Sequence, residues 1–189
     1  MKLIIGLGNP DKKYQKNYHN AGFLAADFLK EYFQFNDFKL NQKFLAQISD
    51  GKIDKENILI VKPQTYMNNS GESVKKILDF YKLSPSDILL IYDDFEIPFG
   101  TIRIREQGSD GGHLGVRSVI ERIGSQNFKR IRIGISNGII KEPLEKYVLK
   151  NFKPNQLAFL NNHILPKIPE LILKFVKNEF KNETLVLRE

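Results

Sequence analysis

The sequence predicts an α/β domain, a mixed and largely parallel sheet covered by helices on both faces. Three observations predict it. Apolar runs of strand length recur at "KLIIGL" (2–7), "NILIVKP" (57–63) and "DILLIY" (87–92), and read as buried strands. Segments of helical period separate them. Two further runs, "TIRIR" (101–105) and "RIRIGI" (130–135), alternate at period two.

Taken in order, the first strand is followed by "AGFLAADFLKEYF" (21–33), which puts Leu24, Ala25, Phe28, Leu29, Tyr32 and Phe33 on one stripe. The segment from Phe38 to Ile53 reads as extended chain turning at "DGK", which makes the sheet mixed. After the second buried strand, Ser70 is the expected cap of a helix over 70–82 with Val74, Ile77, Leu78 and Tyr81 on one face. The third buried strand is followed at once by Asp93 and Asp94, and a helix over 115–124 stops at Gly124. Beyond residue 141 the pattern is helical, in "EPLEKYVL", "PNQLAFLNNHIL" and "PELILKFVKNEF", with Pro166 and Pro169 expected to separate the last two. A C-terminal helical segment is therefore expected at about 154–181. There are no repeats, linkers or low-complexity tracts, so residues 1–189 are read as a single domain.

Composition narrows the function. At 189 residues, 41% hydrophobic and 27% charged, the chain is long enough to bury a proper core. With no cysteine it has no disulfide, no thiolate nucleophile and no cysteine-ligated zinc. A net charge of +7 favours a polyanionic partner, nucleic acid before membrane. The apolar opening ends at Leu7 without a small-residue cleavage site, and no apolar run reaches membrane-spanning length. A cytoplasmic protein is expected.

Ligands of open α/β sheets bind beyond the carboxyl ends of the strands. Here those ends lead into "GNPDKKYQKNYHN", "PQTYMNNSG" and "DDFEIPFG", the loops richest in catalytic-type side chains. His19 falls in the first. Asp93, at another strand end, is a carboxylate able to fix the tautomer of an imidazole and leave its second nitrogen free as a base. With no serine or cysteine partner, water is the expected nucleophile. Asn9, Asn20, Asn68 and Asn69 fall near the same sheet edge; an amide there can donate to an oxyanion, or can simply suit a turn. Asn69 is read as a turn residue, while both readings stay open for Asn9 and Asn68. Arg103 and Arg105 share one strand face, and Arg130 and Arg132 share another, so adjacent strands would gather four guanidiniums against phosphate. A solvated strand face is the simpler expectation for Arg130, and His113 is given only a structural role. The patterns "GLGNPD" and "GISNG" fail as motifs. Asp11 stands at the third glycine position of a dinucleotide loop, and no convincing helix follows Ser136, whose distant partner would be His163.

The blocks "IIGLGNP…Y…HNAGF", "KPQTYMNNSG", "DDFEIPFG…R.R", "GSDGGHLG…I…G…F.RIRIGI" and "EKYVL" resemble, in order and across residues 3 to 149, those of the bacterial-type peptidyl-tRNA hydrolases. The resemblance implies a single-domain, three-layer α/β/α sandwich. It implies an esterase that frees peptide and reusable tRNA from peptidyl-tRNA, without metal or cofactor, gripping the acceptor end and backbone of its substrate; nothing in the sequence demands more than a monomer. By position, His19 looks like the base and Asp93 its orienting partner, with Asn9 and Asn68 as substrate-positioning amides. Tyr14, Asn20 and Met67 look like the pocket wall, and Arg105 and Arg132 like phosphate contacts; Arg103, which shares the strand face of Arg105, is read as a third. Three residues depart from the pattern: Leu114 for a usual asparagine at the substrate rim, Tyr18 for a common arginine, and Asp11 for a frequent glycine.

Overall fold

The computed structural model describes residues 1–187. Eight strands form one sheet: β1 (Lys2–Gly6), β2 (Lys39–Asn41), β3 (Ala46–Ile53), β4 (Glu56–Pro63), β5 (Ile88–Pro98), β6 (Thr101–Arg105), β7 (Lys129–Ser136) and β8 (Glu183–Val186). Their order across the sheet is β2-β3-β4-β1-β5-β7-β6-β8. The sheet is mixed, but parallel pairing is confined to the centre, β4-β1-β5-β7, while both edges are antiparallel.

Helices cover both faces. Alternation along β1 sends Ile4 to one side, where it packs with Ala25 and Leu29 of α1 (Ala21–Tyr32) and with Leu171 and Ile172 of α6 (Ile168–Val176). Leu3 and Ile5 face the other side, against Val74 and Ile77 of α2 (Ser70–Tyr81) and Val116 and Val119 of α3 (Leu114–Ile123). The result is the three-layer sandwich. Leu3, Ile4 and Ile5 are wholly buried, as central strands require.

Four local readings are corrected. The residues of "DGK" lie inside β3, with Gly51 opposite Ile58; the chain reverses instead at Asp54 (φ 53°). Gly51 is a glycine because the ring of Phe35 lies over it, 2.2 Å from where a Cβ would sit. Ser70 does not cap α2 but is its first residue, its Oγ donating to the carbonyl of Met67 at 2.9 Å. Asp93 and Asp94 are not beyond a strand: β5 continues through them to Pro98, with a shift of register after Asp94.

The C-terminal segment is the fourth. From α5 (Pro154–Phe159) the chain stays helical through a π turn (Leu160–Ile164) and a 3-10 turn (Leu165–Lys167) into α6. Each proline lacks an N–H, and the winding changes to accommodate the loss rather than breaking. The helix ends at Val176, not near 181, and β8 then closes the β6 edge.

Two glycines bring α1 onto the sheet. A Cβ on Gly6 would stand 2.2 Å from the carbonyl oxygen of Gly22, and one on Gly22 would stand 2.2 Å from that of Ile91. The first turn of α1 thus rests on β1 and β5, directly after His19 and beside Asp93.

Candidate active site

His19 sits in a single 3-10 turn, Tyr18–Asn20, that feeds α1. The turn is strapped to the C-terminal part of the chain: the Tyr18 amide donates to the carbonyl of Lys150 at 2.9 Å, and Asn17 forms a bridge with Asn151. Tyr18 is buried against Phe152, its hydroxyl 3.0 Å from Oε1 of Gln156, so at this position an aromatic anchors the strap.

Asp93 is buried on β5 and meets two imidazoles. Nδ1 of His19 lies 3.0 Å from both of its carboxylate oxygens, and Nε2 of His113 lies 3.2 Å from Oδ1. His113 is also the N-cap of α3, its Nδ1 accepting from the amide of Val116 at 3.3 Å. A backbone amide can only donate, so the His113 proton resides on Nε2 and points at Asp93. Burial pushes the Asp93 carboxyl up, but the electrostatic attraction and hydrogen bonds of the His19 and His113 rings outweigh it and hold the group well below the usual carboxylate range. His113 is therefore part of this cluster and not merely structural. The ligand-type atoms of His19, Asp93 and His113 lie within 4.8 Å of one another, the spacing of a metal site. The Val116 amide argues against that use, because it occupies the lone pair whose loss would free Nε2 for a cation.

These groups open onto a cavity of about 420 Å³. Asn9 lines it, and its amide orientation is fixed: Oδ1 accepts from the amide of Met67 at 2.9 Å, which leaves Nδ2 as a donor. Tyr14, Met67, Asn68 and Leu114 line it, Asn68 exposed and Leu114 38% exposed at the start of α3. Asn20 does not. It is buried behind the wall, where its Oδ1 accepts from the Asn9 amide at 2.9 Å and its Nδ2 donates to the Asn9 carbonyl at 3.0 Å. Its part is to clasp Asn9.

The loop carrying Met67 and Asn68 is strained, with Tyr66 at φ 58° and ψ 163°, a conformation rare for a residue with a side chain. The Tyr66 hydroxyl ties it to Asp11, 3.1 Å away. Asp11 is thus an exposed tie on this loop, beside the buried bond from the Met67 amide to Asn9.

The arginine strands are neighbours: Arg103 pairs with Arg132 and Arg105 with Arg130, which puts all four side chains on one face. They are not equivalent. Arg130 is buried, not solvated, and donates to the carbonyls of Gly108, Ser109 and Gln126, because the glycine loop folds over it. Arg132 is paired with Asp94, and Glu96 lies 3.8 Å away. Arg103 and Arg105 are half-buried. None of Arg103, Arg105 and Arg132 lines the cavity; they flank it on the strands beyond β5. Ser136 has no helix after it and donates to the carbonyl of Gly138, while His163 stacks on Phe159.

Sequence reasoning missed the other wall, formed by Phe95 and by Leu144, Val148 and Leu149 of the short helix α4 (Leu144–Val148) and its end. The apolar spacing of 144 and 148 was visible, but not which surface it would meet.

A family model for peptidyl-tRNA hydrolase matches residues 3–187. The chain is 50% identical over 152 residues to a peptidyl-tRNA hydrolase of Brevibacillus brevis, covering 80% of this chain and 79% of that one. It is 46% identical over 177 residues to that of Fusobacterium nucleatum, covering 93% and 90%. Among solved structures, the peptidyl-tRNA hydrolase of Acinetobacter baumannii superposes with a TM-score of 0.84 at 33% identity, covering 95% of this chain and 92% of that one.

Proposed function

The chain belongs to the peptidyl-tRNA hydrolase family, and from that premise we propose how its residues hydrolyse the ester of peptidyl-tRNA. His19 is the base. Asp93 accepts a hydrogen bond from the proton that stays on Nδ1, which leaves Nε2 unprotonated toward the cavity. Nε2 takes a proton from water, and the oxygen attacks the ester carbonyl carbon. The carbonyl electrons move onto oxygen, where Nδ2 of Asn9 donates to the developing charge. Collapse breaks the bond to the ribose oxygen, and the imidazolium returns the proton to it. The products are a free tRNA hydroxyl and a peptide acid, which loses the remaining water proton to solvent and leaves as the carboxylate.

Asn68, exposed on the strained loop, hydrogen-bonds the peptide amide, and Tyr14 and Met67 hold the reacting end from the same side. His113 acts through Asp93 as a positioning residue. Arg103 and Arg105 take tRNA phosphates, joined by Arg132 once substrate competes with Asp94. No step requires a metal or cofactor. We take the enzyme to act as a monomer, and among the described residues no helix is long and apolar enough to cross a membrane. We assign it to the cytoplasm, where its substrate is made.

The observation that carries this reading is the contact of His19 with Asp93 at the floor of the cavity. The test is hydrolysis of N-acetyl-aminoacyl-tRNA by the protein and by His19→Ala. Turnover should fall by roughly 10²–10⁴ while tRNA binding persists. Undiminished turnover in the variant would remove His19 from the chemistry.

A further inference from the structure

Of the nine large hydrophobic side chains exposed among the described residues, three, Tyr66, Leu114 and Leu149, line the His19 cavity. Exposed apolar surface gathered at one cavity mouth marks a contact with something apolar. Packing does not require it. Leu114 and Leu149 are 38% and 42% exposed, and the start of α3 is already capped by His113.

Amides and apolar groups share the lining of the cavity. Asn9, Asn68 and Asn69 contribute the amides. Leu144 and Val148, one helical turn apart on α4, line it with Leu149 and Phe95, and Leu114 lines it from the start of α3, which packs beside the loop of Met67 and Asn68. Glu145 lines it too, and its carboxylate opposes the approach of phosphate. An RNA strand is thus directed to the arginine strands, which leaves the acyl half of the substrate for the apolar wall.

The geometry points to Leu114 and Leu149 as an apolar lip that takes a hydrophobic side chain of the peptide, in one of the two residues nearest the ester. This rests on the hydrolase reading above and adds a preference to it. A peptide with leucine at that place buries the side chain against two leucines; one with serine leaves them wet and must desolvate its hydroxyl.

The test uses one tRNA charged with N-acetyl dipeptides carrying leucine or serine, with glycine at the other position, in each of the two positions nearest the ester. At one position kcat/KM should favour leucine by about tenfold. Leu114→Asn and Leu149→Ser should each bring that ratio toward one, and Leu114→Met should restore it. A ratio near one in the unmodified protein, or a ratio unmoved by both polar variants, would overturn the lip and leave the hydrolase reading intact. Failure to cleave any of these substrates would overturn both.

Discussion

The amide of Val116 donates to Nδ1 of His113, so the start of α3 decides which nitrogen of that ring carries the proton. One contact thereby couples a helix cap to the electrostatics of Asp93. His113→Ala should remove both, lowering stability by about 1–3 kcal/mol and turnover by less than His19→Ala does. His113→Asn, which can still cap the helix, should recover most of the stability but not the turnover. Urea denaturation beside single-turnover kinetics separates the two roles.

Asp93 has a depressed folded-state carboxyl. Such a group contributes stability above the range of an unfolded aspartate, about pH 4, and loses that contribution as pH falls through its lower folded value. Asp93→Asn should therefore weaken the fall of Tm between about pH 5 and pH 2, and should cut turnover by roughly 10²–10⁴. Parallel Tm profiles for the two proteins would show that the carboxyl is not held low.

Arg105 and Arg130 oppose each other across β6 and β7 yet should behave differently. Arg105→Ala should change stability by less than about 0.5 kcal/mol and make tRNA affinity less salt-dependent, by about one in the slope of log K against log salt. An unchanged slope would take it out of the RNA footprint.

Arg130→Met should do the reverse. Removing the buried guanidinium leaves the carbonyls of Gly108, Ser109 and Gln126 without their donor, at a cost of about 3 kcal/mol or more. The salt slope should stay as it was. Urea midpoints and filter binding on one preparation test both statements.

The pairing of His19 with Asp93 was legible because β1 and β5 are apolar runs that had to be central, and their carboxyl ends had to meet. His113 was not, because its place depends on a glycine loop held by Arg130, and no local pattern announces that a strand arginine will be buried. Asn20 was misplaced for a related reason. The sequence locates an amide near the site, but only the reciprocal bonds with Asn9 say which of the two faces the cavity. β8 escaped notice because "ETLV" is short, half polar and paired on one side only. The apolar face of α4 found its counterpart through the strap between Asn17 and Asn151, a contact 134 residues apart in sequence.

The crossing of Gly6 and Gly22 sets a mechanical tolerance. Helix and strand approach so closely that a single added methyl at either place overlaps backbone on the other side, with no flexible side chain there to give way. Anything that lifts the first turn of α1 lifts His19 with it, and a hydrogen bond of 3.0 Å to Asp93 weakens steeply over a few tenths of an ångström. The alignment of base and carboxylate is thus gauged by two missing carbon atoms, where the helix meets the strands beneath it.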